Sequence, residues 1–297
     1  MIKNNILHFF EDEYTTMHEL TCAVLRIDTL HPIISGNKLF KLKYYIKEAV
    51  DKNKKGILTL GGYYSNHLVA TAYAAEEAGL ISIGIVRGEK PTNLSPTLIE
   101  CINYNMEIIF YNRNKFDSIN VEELQALYPE YIVIPQGGYG KNGMLGAKDI
   151  LQIKGTEEFD HIVAACGTGT MGAGLISAAA DHQKIVLISV LKHNFSVLEE
   201  IRDLLHPSEK NYSSFDLLFD FHLGGYARTS QQLFDAMNYF YSKHQIPTDF
   251  VYTGKMVYGF YELAASGFFP KKSKILLIHS GGLQGNRSLT NNQLIYC

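Results

Sequence analysis

Short apolar runs alternate with amphipathic segments of helical length along nearly the whole chain. Two longer segments, residues 38–51 and 228–243, carry their apolar side chains on one helical stripe and predict helices. Most apolar runs lack the alternation of a half-buried strand, so they predict strands buried on both faces of a parallel sheet. These predicted strands cover residues 56–60, 81–86, 106–111, 131–135, 161–166, 184–191, 217–222 and 274–279. We therefore expect an α/β protein with open, parallel-rich sheets, helices on both faces and ligands at the carboxyl ends of the strands.

The length of 297 residues favours two domains over one. A polar stretch at residues 154–158, Lys-Gly-Thr-Glu-Glu, separates two groups of predicted elements. We expect residues 39–153 to form a smaller α/β domain. It would be inserted into a larger, cofactor-binding domain built from residues 1–38 and 154–297.

Charge and composition narrow the classes of partner. A net charge of −3 gives no reason to expect nucleic acid or an anionic membrane. The first eleven residues contain no long apolar run, so neither a signal peptide nor a membrane span is expected. The four cysteines form no Cys-x-x-Cys pair, which argues against structural zinc and disulfides and favours a cytoplasmic location. The histidines do not fall at metal-ligand spacings, and no metal is expected.

The segment Ser-Gly-Asn-Lys-Leu-Phe-Lys at residues 35–41 places Lys38 after a turn and at the start of a patterned helix. A lysine that forms a Schiff base must attack as the neutral amine, so it is desolvated or lies near other positive charge. Lys41 is one helical turn away, where its charge would favour that neutral amine or bind a phosphate. The alternative is a solvated basic face, since Lys43 and Lys47 lie nearby.

A second motif, Gly-Gly-Tyr-Tyr-Ser-Asn-His at residues 61–67, follows an apolar strand. Ser65 is a candidate N-cap for an alanine-rich helix over residues 68–79. A helix N-terminus attracts anions, so Ser65 and Asn66 are candidates to hold a substrate carboxylate or a cofactor oxygen. His67 adds an imidazole that can handle protons. Taken alone, Ser65 is better explained as a simple helix cap.

A glycine-rich segment, Cys-Gly-Thr-Gly-Thr-Met-Gly at residues 166–172, joins a predicted strand to a predicted helix over residues 173–180. Small residues let backbone N–H groups approach a phosphate, whose charge the helix dipole favours. The segment also fits the G-x-G-x-x-G dinucleotide fingerprint, which needs an acidic residue at the end of the next strand. That strand is followed by Lys192 instead. NAD is therefore disfavoured, and an NADP-dependent oxidoreductase stays a remote alternative.

Two tyrosines lie beside glycines at expected strand ends. Tyr226 occurs in Gly-Gly-Tyr-Ala, and Tyr252 occurs in Tyr-Thr-Gly-Lys. Because the chain contains 19 tyrosines, packing alone explains most of them, and each signal is weak. The turn His-Ser-Gly-Gly at residues 279–282 is a further candidate for ligand contact or a simple chain reversal.

Taken in order, these motifs resemble the 1-aminocyclopropane-1-carboxylate deaminase and D-cysteine desulfhydrase family of fold-type-II pyridoxal-phosphate enzymes. The resemblance implies a two-domain, homodimeric enzyme with pyridoxal 5′-phosphate in the interdomain cleft. It implies that Lys38 carries the cofactor and that Lys41 helps to hold its phosphate. Ser65 would contact the substrate carboxylate and join proton transfer, and Asn66 would bond the ring oxygen of the cofactor. His67 completes the substrate-binding run.

The same resemblance assigns the phosphate loop and two aromatic side chains. Tyr226 and Tyr252 match the two tyrosines that flank cofactor and substrate. The phosphate is expected at Gly167, Thr168, Gly169 and Thr170.

Four positions depart from the family pattern. Phe40 and Lys43 replace an arginine and a glutamate. Thr253 stands where the deaminases have a glutamate beside the pyridine nitrogen, and His67 stands where they favour glutamine. A carboxylate keeps the ring nitrogen protonated and strengthens the electron sink, whereas a hydroxyl need not. Thr253, as a cofactor-binding residue, and His67 therefore favour β-elimination over ring opening.

We expect a lyase or deaminase for a small amino acid, most similar to D-cysteine desulfhydrases. Elimination followed by hydrolysis would give pyruvate, ammonia and sulfide. Lys38, Ser65 or a tyrosine would remove the α-proton, and Tyr252 would protonate the leaving group. The alternative reaction is ring opening of 1-aminocyclopropane-1-carboxylate to 2-oxobutyrate and ammonia. A protein that holds the cofactor with little turnover, or acts on another amino acid, also stays open because of Phe40 and Lys43.

Overall fold

A computed structural model describes residues 6–206, 215–289 and 293–296 of the chain. Cys297, one of the four cysteines, and residues 1–5 of the N-terminal segment lie outside these ranges. The chain divides into two compact units. The larger unit is drawn from residues 1–30, 35–37 and 147–297, and the smaller unit consists of residues 31–34 and 38–146.

The regular elements of the described residues alternate between strands and helices for most of the chain. The strands are β1 (Leu7–Phe10), β2 (Thr21–Leu25), β3 (Gly56–Gly61), β4 (Ile81–Arg87), β5 (Met106–Tyr111), β6 (Tyr131–Ile134), β7 (His161–Cys166), β8 (Lys184–Ser189), β9 (Phe215–Leu218) and β10 (Lys274–Ile278). The α-helices are α1 (Glu13–Met17), α2 (Asn37–Asp51), α3 (Asn66–Glu77), α4 (Pro96–Asn103), α5 (Arg113–Asp117), α6 (Val121–Leu127), α7 (Lys141–Lys148), α8 (Thr170–Ala178), α9 (Val197–Leu204), α10 (Gln231–His244) and α11 (Thr253–Ala265). Short 3₁₀ helices cover Ile27–Thr29, Gln136–Gly138, Asp149–Gln152, Thr156–Glu158 and Leu283–Ser288.

The larger unit is built on a six-stranded sheet in the order β1-β2-β10-β7-β8-β9. All neighbouring strands are parallel except β1 and β2, which pair antiparallel at one edge. On one face, Val186 packs in a core with Phe240 of α10 and Phe260 of α11. On another side of β8, helix α8 approaches so closely that a Cβ at Gly172 would lie 2.6 Å from Leu187 Cδ1. This glycine lets the helix lie directly on the sheet.

The smaller unit contains a parallel four-stranded sheet in the order β5-β4-β3-β6. Successive residues of β3 point to opposite faces, as in any strand. Ile57 packs with Leu42 of α2 on one face, and Leu58 packs with Phe116 and Leu124 of α5 and α6 on the other. Helices therefore cover both faces, and the strands are buried as their unbroken apolar runs predict.

The predicted α/β class and parallel-rich sheets are confirmed, and seven of the eight predicted strands are present with small changes at their ends. The run predicted at 217–222 is instead β9, which ends at Leu218 where its pairing with β8 ends. The prediction missed β1 and β2. In β1, an edge strand, Phe9 is 64% exposed, so its apolar residues do not mark a buried face. No helix in the described part of the chain is long and apolar enough to cross a membrane.

The compact units differ from the expected domain boundaries at three places. Residues 31–34 belong to the smaller unit, because Ile34 packs in its core. Lys38 belongs to the smaller unit, because helix α2 packs its apolar face into the core of that unit. Residues 147–153 belong to the larger unit, because the 3₁₀ helix Asp149–Gln152 packs against α8 and buries Ile150. The polar stretch at 154–158 thus follows the junction and does not mark it.

Candidate active site

The turn before Lys38 is tightly fixed within the larger unit. Gly36 has φ +65°, and a Cβ there would lie 2.0 Å from the carbonyl oxygen of Ser280, so only glycine fits. The backbone N–H of Asn37 donates to the same carbonyl at 3.1 Å. The Asn37 side chain also contacts Met171, in the first turn of α8, with Nδ2 3.4 Å from Sδ. The His-Ser-Gly-Gly turn therefore supports the start of α2, where Lys38 follows Asn37.

The lysines of α2 separate into two environments. Lys41 is only 4% exposed, and its Nζ donates to the Gly137 carbonyl at 3.1 Å. Lys38 is half-buried, whereas Lys43 and Lys47 are exposed. A solvated basic face accounts for Lys43 and Lys47 but not for Lys41. Lys38 and Lys41, at i and i+3, are neighbours on the helix surface.

Ser65 caps the N-terminus of α3. Its Oγ accepts a hydrogen bond from the backbone N–H of Leu68 at 3.4 Å. A Cβ at Gly61 would lie 2.7 Å from Ser65 Oγ, so this glycine gives the serine its space beside the end of β3. The cap uses a lone pair of the hydroxyl and leaves its hydrogen for another acceptor. Capping and ligand binding by Ser65 are therefore compatible.

The hydrogen bonds of Thr59 fix the tautomer of His67. Thr59 Oγ1 donates its only hydrogen to the Ile134 carbonyl at 2.9 Å. His67 Nε2 lies 2.8 Å from the same oxygen, so Nε2 carries the hydrogen and donates it to Thr59. His67 Nδ1 is then a bare acceptor, and it is buried without a hydrogen-bond partner in the described residues. Asn66 Oδ1, one residue away, is a second buried acceptor in the same condition.

His67 is neutral in this environment. Burial lowers the pKa of His67 well below its ordinary value, and the charges of Lys38 and Lys41 lower it further. A Cβ at Gly138 would lie 3.5 Å from His67 Cε1 and from Lys41 Cδ, so the two side chains line the same small space. A neutral imidazole with a bare Nδ1 accepts a hydrogen bond. It does not attract a carboxylate as a cation would.

The glycine-rich segment forms the loop between β7 and α8. Gly169 has φ +72° and is the N-cap of α8, and no side chain caps this helix. The first helical hydrogen bond runs from Ala173 N to Gly169 O, which leaves the N–H groups of the first turn available. The Thr168 and Thr170 hydroxyl oxygens are 3.3 Å apart. This set of donors at a helix N-terminus suits a phosphate.

The two candidate tyrosines meet beside this loop in the larger unit. Their ring centroids are 6.2 Å apart at 71°. A Cβ at Gly167 would lie 3.2 Å from Tyr252 Cε1, so the Tyr252 ring lies against the loop. Burial raises the pKa of Tyr252 well above its ordinary value, and the charges of Tyr226 and Asp249 raise it further. Tyr252 is therefore held as the neutral phenol.

Thr253 makes two hydrogen bonds to the buried residue Asp249 through its hydroxyl. Its hydroxyl donates to Asp249 Oδ1 at 2.6 Å and accepts from the Asp249 N–H at 2.8 Å. The Asp249 carboxylate also accepts from the N–H groups of Val251, Tyr252 and Thr253, each at 2.8 to 2.9 Å. Thr253 thus has only a lone pair left for any ligand, and Asp249 fixes the backbone that carries Tyr252.

The predicted site residues form two groups, each within one unit. The smaller unit brings Lys38, Lys41 and the run 65–67 together, and the larger unit brings the loop 167–170 together with Tyr226, Tyr252 and Thr253. The prediction missed Thr59 and Asp249. The pattern Asp-x-x-x-Thr at the start of a helix was a usable signal for Asp249, because aspartate is a preferred residue at helix N-termini. No group of three or more His, Cys, Asp or Glu side chains in the described residues could hold a metal ion.

These groups can be compared with known proteins. A family model described as "Pyridoxal-phosphate dependent enzyme" matches residues 16–281. The chain belongs to this family of pyridoxal-phosphate dependent enzymes. The glycine-rich loop is therefore part of a pyridoxal-phosphate enzyme, and the dinucleotide alternative loses its basis.

The relatives of this chain within the family include deaminases and desulfhydrases. The mitochondrial bifunctional D-cysteine desulfhydrase/1-aminocyclopropane-1-carboxylate deaminase of Arabidopsis thaliana is 30% identical over 286 residues, which cover 85% of this chain and 70% of that protein. The D-cysteine desulfhydrase of Klebsiella pneumoniae is 24% identical, with 87% and 86% covered. A crystal structure of a 1-aminocyclopropane-1-carboxylate deaminase homologue matches with a TM-score of 0.78 and 26% identity, over 94% of this chain and 90% of that one. This chain is therefore a fold-type-II amino-acid lyase or deaminase, and its cofactor is pyridoxal phosphate.

The residues present fit this cofactor. The loop 167–170 offers hydroxyls and backbone N–H groups, which are the donors that a phosphate needs. Lys38 supplies a half-buried amine at a helix start, where a carbonyl group can be attached. Asn66 Oδ1 and His67 Nδ1 offer two buried acceptors to a ligand, since no described residue donates to them.

Proposed function

We propose that this enzyme catalyses β-elimination from a small amino acid, with D-cysteine as the preferred substrate. The overall reaction converts D-cysteine and water into pyruvate, ammonia and hydrogen sulfide. The observation that supports it most is Tyr252, a phenol with a raised pKa whose ring lies against the phosphate loop at Gly167. Such a group keeps its proton at neutral pH and can give it to a leaving sulfur.

Pyridoxal phosphate, when bound, withdraws electrons from the α-carbon of the amino acid and makes its α-proton acidic. Lys38 would carry the cofactor, and its Nζ, once neutral, would accept the α-proton. The Ser65 hydroxyl would donate its hydrogen to the substrate carboxylate at the N-terminus of α3, where the helix dipole favours negative charge. Lys41 would contribute a buried positive charge toward the phosphate.

The leaving group would receive its proton from Tyr252 Oη. Tyr226 would help to position that phenol, because the two rings meet edge to face with centroids 6.2 Å apart. Thr253 would offer the ring nitrogen only a neutral acceptor, because its own hydrogen is given to Asp249. A neutral acceptor stabilises a protonated ring nitrogen less than a carboxylate would. His67 would accept a hydrogen bond from a donor of the substrate at Nδ1, because its tautomer leaves that atom bare.

The alternative reaction is ring opening of 1-aminocyclopropane-1-carboxylate. The deaminases that the motifs resemble have a glutamate at the position of Thr253 and favour a glutamine at that of His67. The two substitutions in this chain therefore support elimination. They act on the strength of the electron sink and on the polarity around the substrate.

Release of 2-oxo acid by the purified, cofactor-loaded enzyme separates the two reactions, with D-cysteine and 1-aminocyclopropane-1-carboxylate tested side by side. Pyruvate from D-cysteine supports the proposal. 2-Oxobutyrate from the cyclopropane substrate, without pyruvate from D-cysteine, would overturn it. An enzyme that shows cofactor absorbance but releases no 2-oxo acid from a panel of small amino acids would be the cofactor-holding protein considered above.

The variant Tyr252→Phe tests the role of the phenol as the acid. It keeps the ring against Gly167 but removes the acidic hydrogen. We expect kcat for D-cysteine to fall by about 10²–10⁴-fold, with the cofactor retained. Unchanged elimination by Tyr252→Phe would show that another group protonates the leaving sulfur.

We also propose a homodimer in the cytoplasm. The homodimer rests on the family resemblance, and the location rests on the buried thiols Cys22, Cys101 and Cys166. Sedimentation equilibrium tests the first assignment, and cell fractionation tests the second.

A further inference from the structure

Helix α11 contains a lysine that the proposed chemistry does not use. Lys255 is 0% exposed, and it follows Thr253 by two residues in the first turn of the helix. Its neighbours Met256 and Val257 are buried apolar residues. Burying an ammonium group is costly unless the group is hydrogen-bonded or paired with a charge. The partners of Lys255 therefore show what the residue does.

Lys255 Nζ donates a hydrogen bond to the carbonyl oxygen of Gly225. Gly225 directly precedes Tyr226. Burial lowers the pKa of Lys255 to about 8, and the charge of Asp249 opposes that decrease. Lys255 thus donates to the carbonyl next to Tyr226 and interacts electrostatically with Asp249, the residue that fixes Tyr252.

The loop that carries Tyr226 has an unfavourable backbone. Leu223 has φ +46° and Ala227 has φ +52°, although L-residues with side chains rarely adopt this conformation. Gly224 and Gly225, at φ +93° and +104°, also lie on the positive side. Such a backbone persists only where surrounding contacts hold it.

Tyr226 does little to fix its own position. Its side chain is 57% exposed, so packing holds only part of the ring. The loop itself is tied by three amides: Gly224 N donates to His222 Nδ1, Gly225 N donates to His222 O, and Arg228 N donates to Gly225 O. The Gly225 carbonyl therefore accepts from both Arg228 and Lys255, and the bond from Lys255 joins the loop to a buried helix.

We infer that Lys255 is a positioning residue: its buried ammonium holds the Gly225 carbonyl and so fixes the strained loop 222–228 with the Tyr226 ring against Tyr252. The effect on turnover rests on the proposed function, in which Tyr226 orients the acid. The effect on the loop is independent of the proposed function.

Hydrogen exchange followed by mass spectrometry tests the loop directly in the full-length, cofactor-loaded protein. In Lys255→Met, we expect the amides of peptides covering 222–228 to exchange about tenfold faster or more, with β8 unchanged. Lys192→Met is the matched control. Lys192 packs its Cβ near Gly225, and the described residues show no hydrogen bond from its ammonium to the loop. The control is expected to exchange as the wild type does.

Kinetics with D-cysteine provide the second readout. We expect kcat of Lys255→Met to fall about tenfold or more while KM changes little, because misplacing Tyr226 affects the reacting geometry more than substrate binding. Lys255→Gln, which keeps a polar donor on a shorter side chain, is the variant to compare if Lys255→Met does not fold, and the same faster loop exchange is expected.

Two results would overturn the inference. One is wild-type exchange of 222–228 in the Lys255 variants. The other is equally fast exchange in Lys192→Met, which would reflect the loss of charge alone. If the wild-type enzyme does not act on D-cysteine, the proposed function fails. The comparison of hydrogen exchange still decides the role of Lys255.

Discussion

The Thr253 hydroxyl lies 2.6 Å from Asp249 Oδ1 and also accepts the Asp249 N–H. A side chain expected beside the cofactor is thus also part of the cap of helix α11. Thr253→Val removes the hydroxyl with little change in volume. It leaves a buried carboxylate and a buried N–H short of one hydrogen bond each. We expect the free energy of unfolding to fall by about 1–3 kcal/mol, measured by urea denaturation.

Thr253→Ser is the matched control, because it keeps the hydroxyl and removes only a methyl group. It is expected to retain most of the free energy of unfolding. Equal stability of the serine and valine variants would mean that the hydrogen bonds to Asp249 contribute nothing.

Gly36 and Gly79 share a left-handed backbone, with φ +65° and +68°, but differ in their surroundings. A Cβ at Gly36 would lie 2.0 Å from Ser280 O, whereas nothing lies within 4 Å of a Cβ at Gly79. Gly79→Ala should cost about 1 kcal/mol of stability through backbone strain alone. Gly36→Ala should cost about 3 kcal/mol or more, because the turn before Lys38 must move.

Thermal or urea unfolding of the two glycine variants provides the comparison, and bound cofactor is measured by its absorbance. Loss of cofactor is expected only in Gly36→Ala. If both variants lose the same stability and keep the cofactor, the turn at Ser280 does not position Lys38.

His67 gives the enzyme a defined pH dependence of stability. Burial, with the charges of Lys38 and Lys41, lowers the pKa of His67 in the folded state, whereas the unfolded chain titrates near its ordinary value of 6.5. Below that pH the unfolded state binds the proton and the folded state does not. The free energy of unfolding should therefore fall as the pH is lowered through this range.

His67→Gln removes the titrating group but keeps a polar side chain. Denaturation series between about pH 5 and 7.5 should show a shallower loss of stability in the variant than in the wild type. Parallel curves for the two proteins would show that His67 is not held neutral.

Asp12 makes stability fall in the same direction, with decreasing pH, but over a more acidic range than His67. Burial raises the pKa of Asp12, but hydrogen bonds from His244 at 3.0 Å and Tyr261 at 2.7 Å outweigh it, and the pKa is lowered from 3.8. The carboxylate therefore stabilises the fold above its unfolded pKa, and this contribution is lost as the pH falls through the lower, folded pKa. Asp12→Asn should cost about 1–3 kcal/mol near pH 7, with the difference from wild type shrinking toward pH 3.

Glu13→Gln is the control for Asp12, since it removes an exposed carboxylate next to it on α1. Urea denaturation as a function of pH should show a larger pH-dependent difference for Asp12→Asn. A constant difference between Asp12→Asn and the wild type at every pH would contradict the role of the charge.

The sequence was sufficient for features that depend on local pattern. The stripe of α2 predicted its bounds within a residue, and the order of motifs predicted the family. Contacts between distant residues were not predictable. Lys41 donates to a carbonyl 96 residues away, and Lys255 to one 30 residues away, and no local pattern specifies such partners. The boundary at residues 146–147 was missed for the same reason, since it depends on where Ile150 is buried.

The proposed chemistry depends on attachment of the cofactor to Lys38. Borohydride reduction of the cofactor-loaded enzyme, followed by peptide mass spectrometry, identifies the lysine that carries it. Reduction fixes the cofactor on the lysine that carries it. We expect the modification on Lys38 and its loss in Lys38→Ala, which should also be inactive. Modification of Lys41 or Lys255, or a Lys38→Ala enzyme that keeps its bound cofactor and releases 2-oxo acid, would contradict attachment to Lys38.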